Sequence, residues 1–101
     1  MNSHTAAREA AHRRATVDAM FERCLLCHRD GCVPAHWPRH RGMGAGHAGW
    51  DPEEWVPLCR ECHDLVDGRL GRQAARRRAR ERLAVRAEEW QRRVRRRTAV
   101  Q

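Results

Sequence analysis

Two Cys-x-x-Cys motifs, Cys24/Cys27 and Cys59/Cys62, constrain this chain more than any other feature, and 31 residues separate them. Each motif forms a tight turn, and two such turns bring four thiolates into the tetrahedral arrangement that Zn²⁺ prefers. With 101 residues, of which 5% are aromatic, the chain has a small core. Domains of this size usually need a metal or disulfides for stability. Because the gap exceeds that of a zinc ribbon, we expect a functional insert between the motifs.

The cellular compartment decides between zinc and disulfides. The sequence has no basic start followed by an apolar stretch and no long apolar segment, so we expect a cytoplasmic protein without signal peptide or transmembrane span. Thiols stay reduced there, and the paired motifs then predict one zinc ion bound by four cysteines. The fifth cysteine, Cys32, is expected to pack as a small apolar residue. His28 is a weaker candidate ligand, because Cys27 beside it already completes a better motif.

The charge of the chain points to a polyanionic partner. The net charge is +8, and all 21 basic residues are arginine. Guanidinium groups bind phosphate oxygens in a forked geometry and stay charged at any accessible pH. Nucleic acid is therefore the expected partner. The alternative is a basic, solvent-exposed surface with no ligand.

Three segments follow from the pattern of residues. We predict a helix over residues 1–23, a compact unit over 24–68, and a second long helix with a tail over 69–101. The first helix is expected to bury one apolar face, formed by Ala10, Val17, Phe21 and Cys24. Its His4 and His12 are expected to be exposed and without a role. The second long helix has an apolar stripe at helical spacing, formed by Leu83, Ala87, Trp90 and Val94.

The compact unit has the signals of a small mixed fold. Residues 32–37 and 55–58 are predicted strands, and a short helix is predicted from Arg60 to near Gly68. A glycine-rich loop separates the strands, and loops of this kind often lie near ligands. Three of the tryptophans are expected to form the core: Trp37, Trp50 and Trp55. The predicted class is small α+β.

Three runs of the compact unit resemble the zinc-bound HNH endonucleases. The runs are Cys24-Leu25-Leu26-Cys27, Ala35-His36-Trp37-Pro38-Arg39-His40-Arg41-Gly42 and Trp55-Val56-Pro57-Leu58-Cys59-Arg60-Glu61-Cys62-His63. The resemblance covers residues 24–68. It implies a ββα-metal (HNH) core that is stabilised by the four-cysteine zinc site. Two arginine- and alanine-rich helices would flank this core.

The resemblance also implies roles for single residues. His36 would be the general base, and its near-neutral pKa suits it to take a proton from water. His63 would be a ligand of a catalytic Mg²⁺ or another divalent cation. Arg39 and Arg41 would clamp the phosphate. Asp67 lies one helical turn after His63 and is a candidate second ligand.

Two positions depart from the family pattern. Where the family often has a metal ligand before the general base, this chain has Ala35, and where it has asparagine before the second strand, this chain has Glu54. Glu54 replaces some of the hydrogen bonding of asparagine but not its donors. The sequence leaves the remaining ligands open: His63 binds the cation with Asp67, or with His40 or His47 from the loop.

The sequence thus favours a metal-dependent DNA endonuclease that contacts the phosphate backbone through its arginine-rich helices. The alternative is a zinc-stabilised module that binds nucleic acid without cutting it. Small HNH proteins of this kind resemble those of bacteriophages, and that resemblance would make phage packaging proteins a class of partner. Sequence specificity is not encoded in any recognisable base-reading motif.

Overall fold

Three helices and a two-stranded antiparallel sheet make up the computed structural model, which describes residues 3–38 and 49–100. The predicted small α+β class is therefore confirmed. In chain order the elements are α1 (Ser3–Met20), β1 (Val33–His36), β2 (Trp55–Leu58), α2 (Arg60–Asp67) and α3 (Gln73–Val100). No helix in the described ranges is both long and apolar enough to cross a membrane.

The two strands form a short ladder at the centre of the molecule. Val33 pairs with Leu58 and His36 pairs with Trp55. All four residues of β2 are buried. β2 has the predicted bounds, whereas β1 is one residue shorter at each end than predicted. The pairing places His36 at the end of the ladder that is remote from the cysteines, with Trp55 opposite.

Helix α2 begins and ends as the sequence predicts. Cys59 is its N-cap, and the Cys59 side chain accepts a hydrogen bond from the backbone N–H of Cys62. Gly68 ends the helix in the left-handed conformation with φ 84°, which glycine adopts without steric strain. A second positive φ follows at Gly71, 66°. These two turns delay the start of α3 to Gln73, so the prediction of helix from residue 69 was wrong.

Helix α3 packs its predicted apolar stripe against the rest of the molecule. Leu83, Ala87 and Trp90 are buried, and Val94 is half-buried against the core. Trp90 lies 4.9 Å from Trp55, measured between ring centroids. Burial of this stripe helps to hold α3 against the rest of the molecule.

Three inward-facing arginines also attach α3 to the central unit. The side chains of Arg76 and Arg80 both donate to the carbonyl of Val66, at 3.0 and 3.3 Å, near the C-terminus of α2. Arg86 donates to the carbonyls of Leu25 and Leu26 in the first cysteine turn, at 2.7 and 3.3 Å. Carbonyls at a helix end lack partners within the helix, and a cation satisfies them well. These arginines are therefore structural.

Helix α1 presents a different face to the core from the one predicted. Ala15 and Ala19 are buried, at 2% and 0% exposure, whereas Val17 and Phe21 are 52% and 85% exposed. Phe21 and Cys24 both lie beyond the end of the helix, and Cys24 is buried. α1 packs against both strands. Alanine lets a helix backbone approach a sheet more closely than valine or phenylalanine would, so the small residues face inward.

Candidate functional site

Four cysteine thiols lie close enough to bind one metal ion. The Sγ atoms of Cys24, Cys27, Cys59 and Cys62 all lie within 4.8 Å of one another. Cys27 and Cys59, from different motifs, have their sulfurs 3.5 Å apart. A tetrahedral zinc site with Zn–S bonds of 2.3 Å has sulfurs about 3.8 Å apart. The predicted grouping is confirmed, and its geometry fits zinc.

The surroundings of these thiols favour the ionised, metal-binding form of one of them, Cys24. Burial acts to raise the pKa of Cys24, but backbone N–H donors, that of Cys59 first, outweigh it and lower the pKa to about 7. Burial raises the pKa of Cys62, and neighbouring thiols add to this effect. A bound cation supplies the positive charge needed to ionise the whole group. Four thiolates grouped in this way are the ligand set of a structural zinc site.

The other candidate ligands near the cysteine turns stay outside this group. Cys32 is 3% exposed and packs in the core, as predicted. Burial raises the pKa of the Cys32 thiol to about 12, so the thiol stays protonated. His28 is exposed and adopts a positive φ of 65° in the first turn.

Two of the contacts that the His36 imidazole makes limit its orientation. Its Nε2 lies 3.0 Å from the carbonyl oxygen of Gly49. A carbonyl only accepts hydrogen bonds, so Nε2 bears the proton and Nδ1 bears the lone pair. The ring stacks on Trp50, with centroids 3.7 Å apart and planes 28° from parallel. This tautomer makes Nδ1 the basic nitrogen of His36.

Trp50 also brings His12 to this site, which the sequence analysis did not predict. The His12 and Trp50 ring centroids are 4.6 Å apart. Trp50 is half-buried and packs against the core, as expected, but it also contacts the candidate base. No sequence signal connects His12 to this site, because the contact depends on how α1 crosses the sheet.

His63 and Asp67 form a close, partly buried pair on α2. His63 Nε2 lies 3.1 Å from Asp67 Oδ2, and the two side chains are 19% and 10% exposed. Two neighbouring ligands on a cation with bonds near 2.1 Å are about 3.0 Å apart, so this spacing suits two ligands as well as a hydrogen bond. Burial lowers the pKa of His63 despite Asp67, which favours the neutral, metal-binding imidazole. The other ring nitrogen, Nδ1, is buried without a hydrogen-bond partner among the described residues.

The two positions that depart from the family pattern, Ala35 and Glu54, have different surroundings in the structure. Ala35 is buried at 4% exposure and offers no ligand atom. The Glu54 carboxylate accepts a hydrogen bond from the backbone N–H of Gly49, at 2.8 Å. Gly49 therefore lies between Glu54 and His36, with one peptide group bonded to each.

The remaining predicted site residues, Arg39, His40, Arg41 and His47, lie outside the described residues. Within residues 3–38 and 49–100, only the four cysteines bring three or more metal-binding side chains together. His63 and Asp67 thus form a pair and not a complete site.

Comparisons of the chain with protein-family models, with characterised proteins and with solved structures find no match. Function is therefore inferred from the residues and contacts of this chain.

Proposed function

We propose that this protein is an HNH-type endonuclease that hydrolyses DNA phosphodiester bonds with a divalent cation. The orientation of His36 carries the proposal. Its Nε2 is bonded to the Gly49 carbonyl, and Nδ1 is thereby the nitrogen that can accept a proton. The strand–strand–helix order of β1, β2 and α2 agrees with the ββα-metal core that the sequence resemblance implies.

In this proposal His36 acts as the general base. Nδ1 takes a proton from a water molecule while the water oxygen attacks phosphorus. The bond between phosphorus and the 3′ oxygen breaks, and the 3′ oxygen gains a proton from solvent. The products are a 5′-phosphate and a 3′-hydroxyl, and His36 then loses its extra proton to solvent.

His63 and Asp67 would hold the divalent cation, Mg²⁺ or a similar ion. When bound, such a cation stabilises the negative charge that develops on the phosphate and on the leaving oxygen. The 3.1 Å spacing of the two donor atoms is compatible with a shared ion. Since these residues supply two ligands, His40 and His47 stay candidates for others. Arg39 and Arg41 stay candidates for holding the phosphate.

The cysteine-bound zinc would have a structural role only. It connects the turn after α1 to the start of α2, and β2 runs directly into Cys59. This connection fixes the strands against α2, which carries His63 and Asp67. The zinc thus replaces the large apolar core that a chain of this size lacks.

The outer face of α3 supplies a surface for the DNA backbone. Four exposed arginines, Arg78, Arg82, Arg93 and Arg96, have no carboxylate within 4.0 Å among the described residues. They span about 27 Å along the helix at 1.5 Å per residue, roughly the length of eight base pairs. The inward arginines hold α3 against the central unit, so this outer surface is fixed to the rest of the molecule.

Plasmid relaxation tests the proposal. Zinc-loaded wild-type protein is incubated with supercoiled DNA and Mg²⁺, Mn²⁺, Ni²⁺ or Zn²⁺, beside His36→Ala. We expect nicked or linear DNA with wild type and at least a hundredfold lower rate with the variant. Intact DNA under every metal, or equal cleavage by both proteins, rejects the enzyme proposal.

A non-catalytic nucleic-acid-binding zinc module is the second candidate. The buried Ala35 favours it, because the chain lacks a ligand where the HNH family often has one. Titration of zinc-loaded protein with Mg²⁺ separates the two. The binding module predicts one zinc per chain and no further cation site, together with DNA affinity that is equal with and without Mg²⁺.

A further inference from the structure

We propose that the outer face of α1 binds the same face of a second copy of this chain, so that two chains form a two-fold dimer through antiparallel α1 helices. The dimer goes beyond the proposed nuclease function and does not depend on it. It would bury apolar residues of α1 that the fold of a single chain leaves exposed.

The outer face lies opposite the two alanines of α1 that are buried against the sheet. Its members are Ala10, Arg13, Arg14, Val17, Asp18, Met20 and Phe21. A helix turns by about 100° per residue, so Val17 points away from the sheet. Val17, Met20 and Phe21 are 52%, 62% and 85% exposed. The Phe21 N–H donates to the Asp18 carbonyl at 3.1 Å, and this turn continues the path of the helix.

The apolar residues of the outer face recur at the spacing of a buried helix face. Ala10, Val17 and Phe21 are separated by seven and four residues, and for this reason the sequence predicts that they are buried. In the single chain they are not, because the opposite face packs on the sheet. An exposed, contiguous apolar patch of this kind marks a contact with another molecule.

The charges of the outer face favour a second copy as that molecule. Arg14 and Asp18 are both exposed, and neither has an ion-pair partner within 4.0 Å among the described residues. In a two-fold contact the same patch of both chains must be complementary to itself. When two α1 helices pair antiparallel about an axis near Val17, Arg14 of each chain lies beside Asp18 of the partner subunit. The face therefore offers two opposite-charge contacts in a chain whose net charge is +8.

The shape of the outer face agrees with the same arrangement. A shallow hollow of about 400 Å³ is lined by Ala10, Arg13, Arg14, Val17 and Asp18. Phe21 projects from the same face, about two helical turns from the centre of this hollow. In the antiparallel pair, Phe21 of each chain reaches the hollow of the other. The arginines at the hollow can then contact the face of the aromatic ring.

The proposed interface is small, and this sets the expected strength of the dimer. Stable protein complexes bury about 1,600 Å² in total, which is more than two single helix faces supply. We therefore expect a dissociation constant of roughly 10 μM. The chain would then be a monomer in dilute solution and a dimer in concentrated solution.

Sedimentation of zinc-loaded protein over a range of concentrations tests the proposal. The monomer has a mass of 11.8 kDa, and the mean mass should approach twice this value as the concentration rises. Arg14→Asp and Asp18→Arg each place like charges side by side in the dimer, so each variant alone should associate at least about tenfold more weakly. A mixture of these two variants restores opposite charges at both contacts. It should associate about as strongly as wild type.

Two valines supply a matched control for the apolar part of the interface. Val17 on α1 and Val85 on α3 are 52% and 62% exposed. Val17→Asp should abolish the dimer, whereas Val85→Asp should leave it unchanged. Zinc content and circular dichroism show whether each variant is folded.

Three results would overturn the inference. They are a folded wild type that stays monomeric up to about 1 mM, a dimer that survives Val17→Asp, and a mixture of Arg14→Asp and Asp18→Arg that associates no better than either variant alone. Sedimentation reports mass and not cleavage, so these results leave the nuclease proposal untouched.

Discussion

At the residue scale, Cys59 belongs to two structures at once. Its thiol lies in the four-sulfur group, and the same sulfur caps α2 by accepting from the N–H of Cys62, at 3.4 Å. Cys32 lies nearby and is equally buried, but it joins neither structure. The two cysteines thus form a natural pair for separating metal binding from simple packing.

We predict opposite outcomes for Cys59→Ala and Cys32→Ala. Cys59→Ala should lose zinc and most of its helical circular dichroism signal. It leaves only three thiols for the metal and removes the cap of α2, so the small core loses the metal that stabilises it. Cys32→Ala should keep one zinc per chain and lose only about 1 kcal/mol of unfolding free energy, since it removes one buried sulfur. Zinc content by mass spectrometry and thermal unfolding by circular dichroism measure both. Full zinc binding by Cys59→Ala would contradict the assignment.

A second pair of residues tests which face of α1 is buried. Ala19 has no exposed surface, so Ala19→Leu forces extra atoms into close packing and should lower the unfolding free energy by about 1–3 kcal/mol. Phe21 is 85% exposed, so Phe21→Gln should change it by less than about 0.5 kcal/mol. Urea unfolding measures both values. A larger loss of unfolding free energy for Phe21→Gln than for Ala19→Leu would instead support the buried face that the sequence predicts, which includes Phe21.

At the element scale, the arginines of α3 divide into two groups by their surroundings. Arg86 donates to two carbonyls of the first cysteine turn, whereas Arg82 faces solvent. Both are arginines of one helix separated by one turn. Composition alone assigns them the same role, and only the packing of α3 distinguishes them.

We predict that substitution of these two arginines separates stability from DNA affinity. Arg86→Met leaves two carbonyls without their donor and should cost about 1–3 kcal/mol of unfolding free energy. Arg82→Met should change the free energy of unfolding by less than about 0.5 kcal/mol. It should weaken DNA binding, and the salt dependence of the binding constant should fall by the amount expected for about one phosphate contact. Urea unfolding and fluorescence anisotropy at several salt concentrations measure the two effects. If Arg82→Met leaves the salt dependence unchanged, the outer face of α3 is not the DNA surface.

The sequence predicted β2 and α2 well, because residues at their ends mark where these elements begin and end. β2 runs between a loop and a cysteine turn, and α2 has a cysteine cap at one end and Gly68 at the other. Motif spacing was enough to group the four thiols, since tetrahedral coordination admits few arrangements. The stripe of α3 was also found, because large apolar residues recur there at helical spacing.

Other features depend on tertiary contacts that leave no sequence pattern. The apolar pattern predicted that large residues such as Phe21 are buried. In the structure α1 lies close to the sheet, and the small residues Ala15 and Ala19 are buried instead. One partner of His36 is a backbone carbonyl, and any residue at position 49 has one. That the carbonyl belongs to Gly49 follows only from the folded structure.

At the scale of the whole molecule, the four thiols and the proposed cation ligands, His63 and Asp67, are separate sets of side chains. The four thiols lie between α1 and the start of α2, and the His63–Asp67 pair lies further along α2. His63 directly follows Cys62, so the two sets are adjacent in sequence but offer different donor atoms. One ion would hold the fold, and the other would take part in cleavage.

Counting metal ions in wild type and in His63→Ala tests this central claim most directly. Zinc content is measured by mass spectrometry, and Mn²⁺ binding to zinc-loaded protein is measured by electron paramagnetic resonance. We predict one zinc per chain in both proteins, and a Mn²⁺ site in wild type that is lost in His63→Ala. Wild type without a Mn²⁺ site, or a variant that loses its zinc as well, would contradict the division into a structural and a catalytic site.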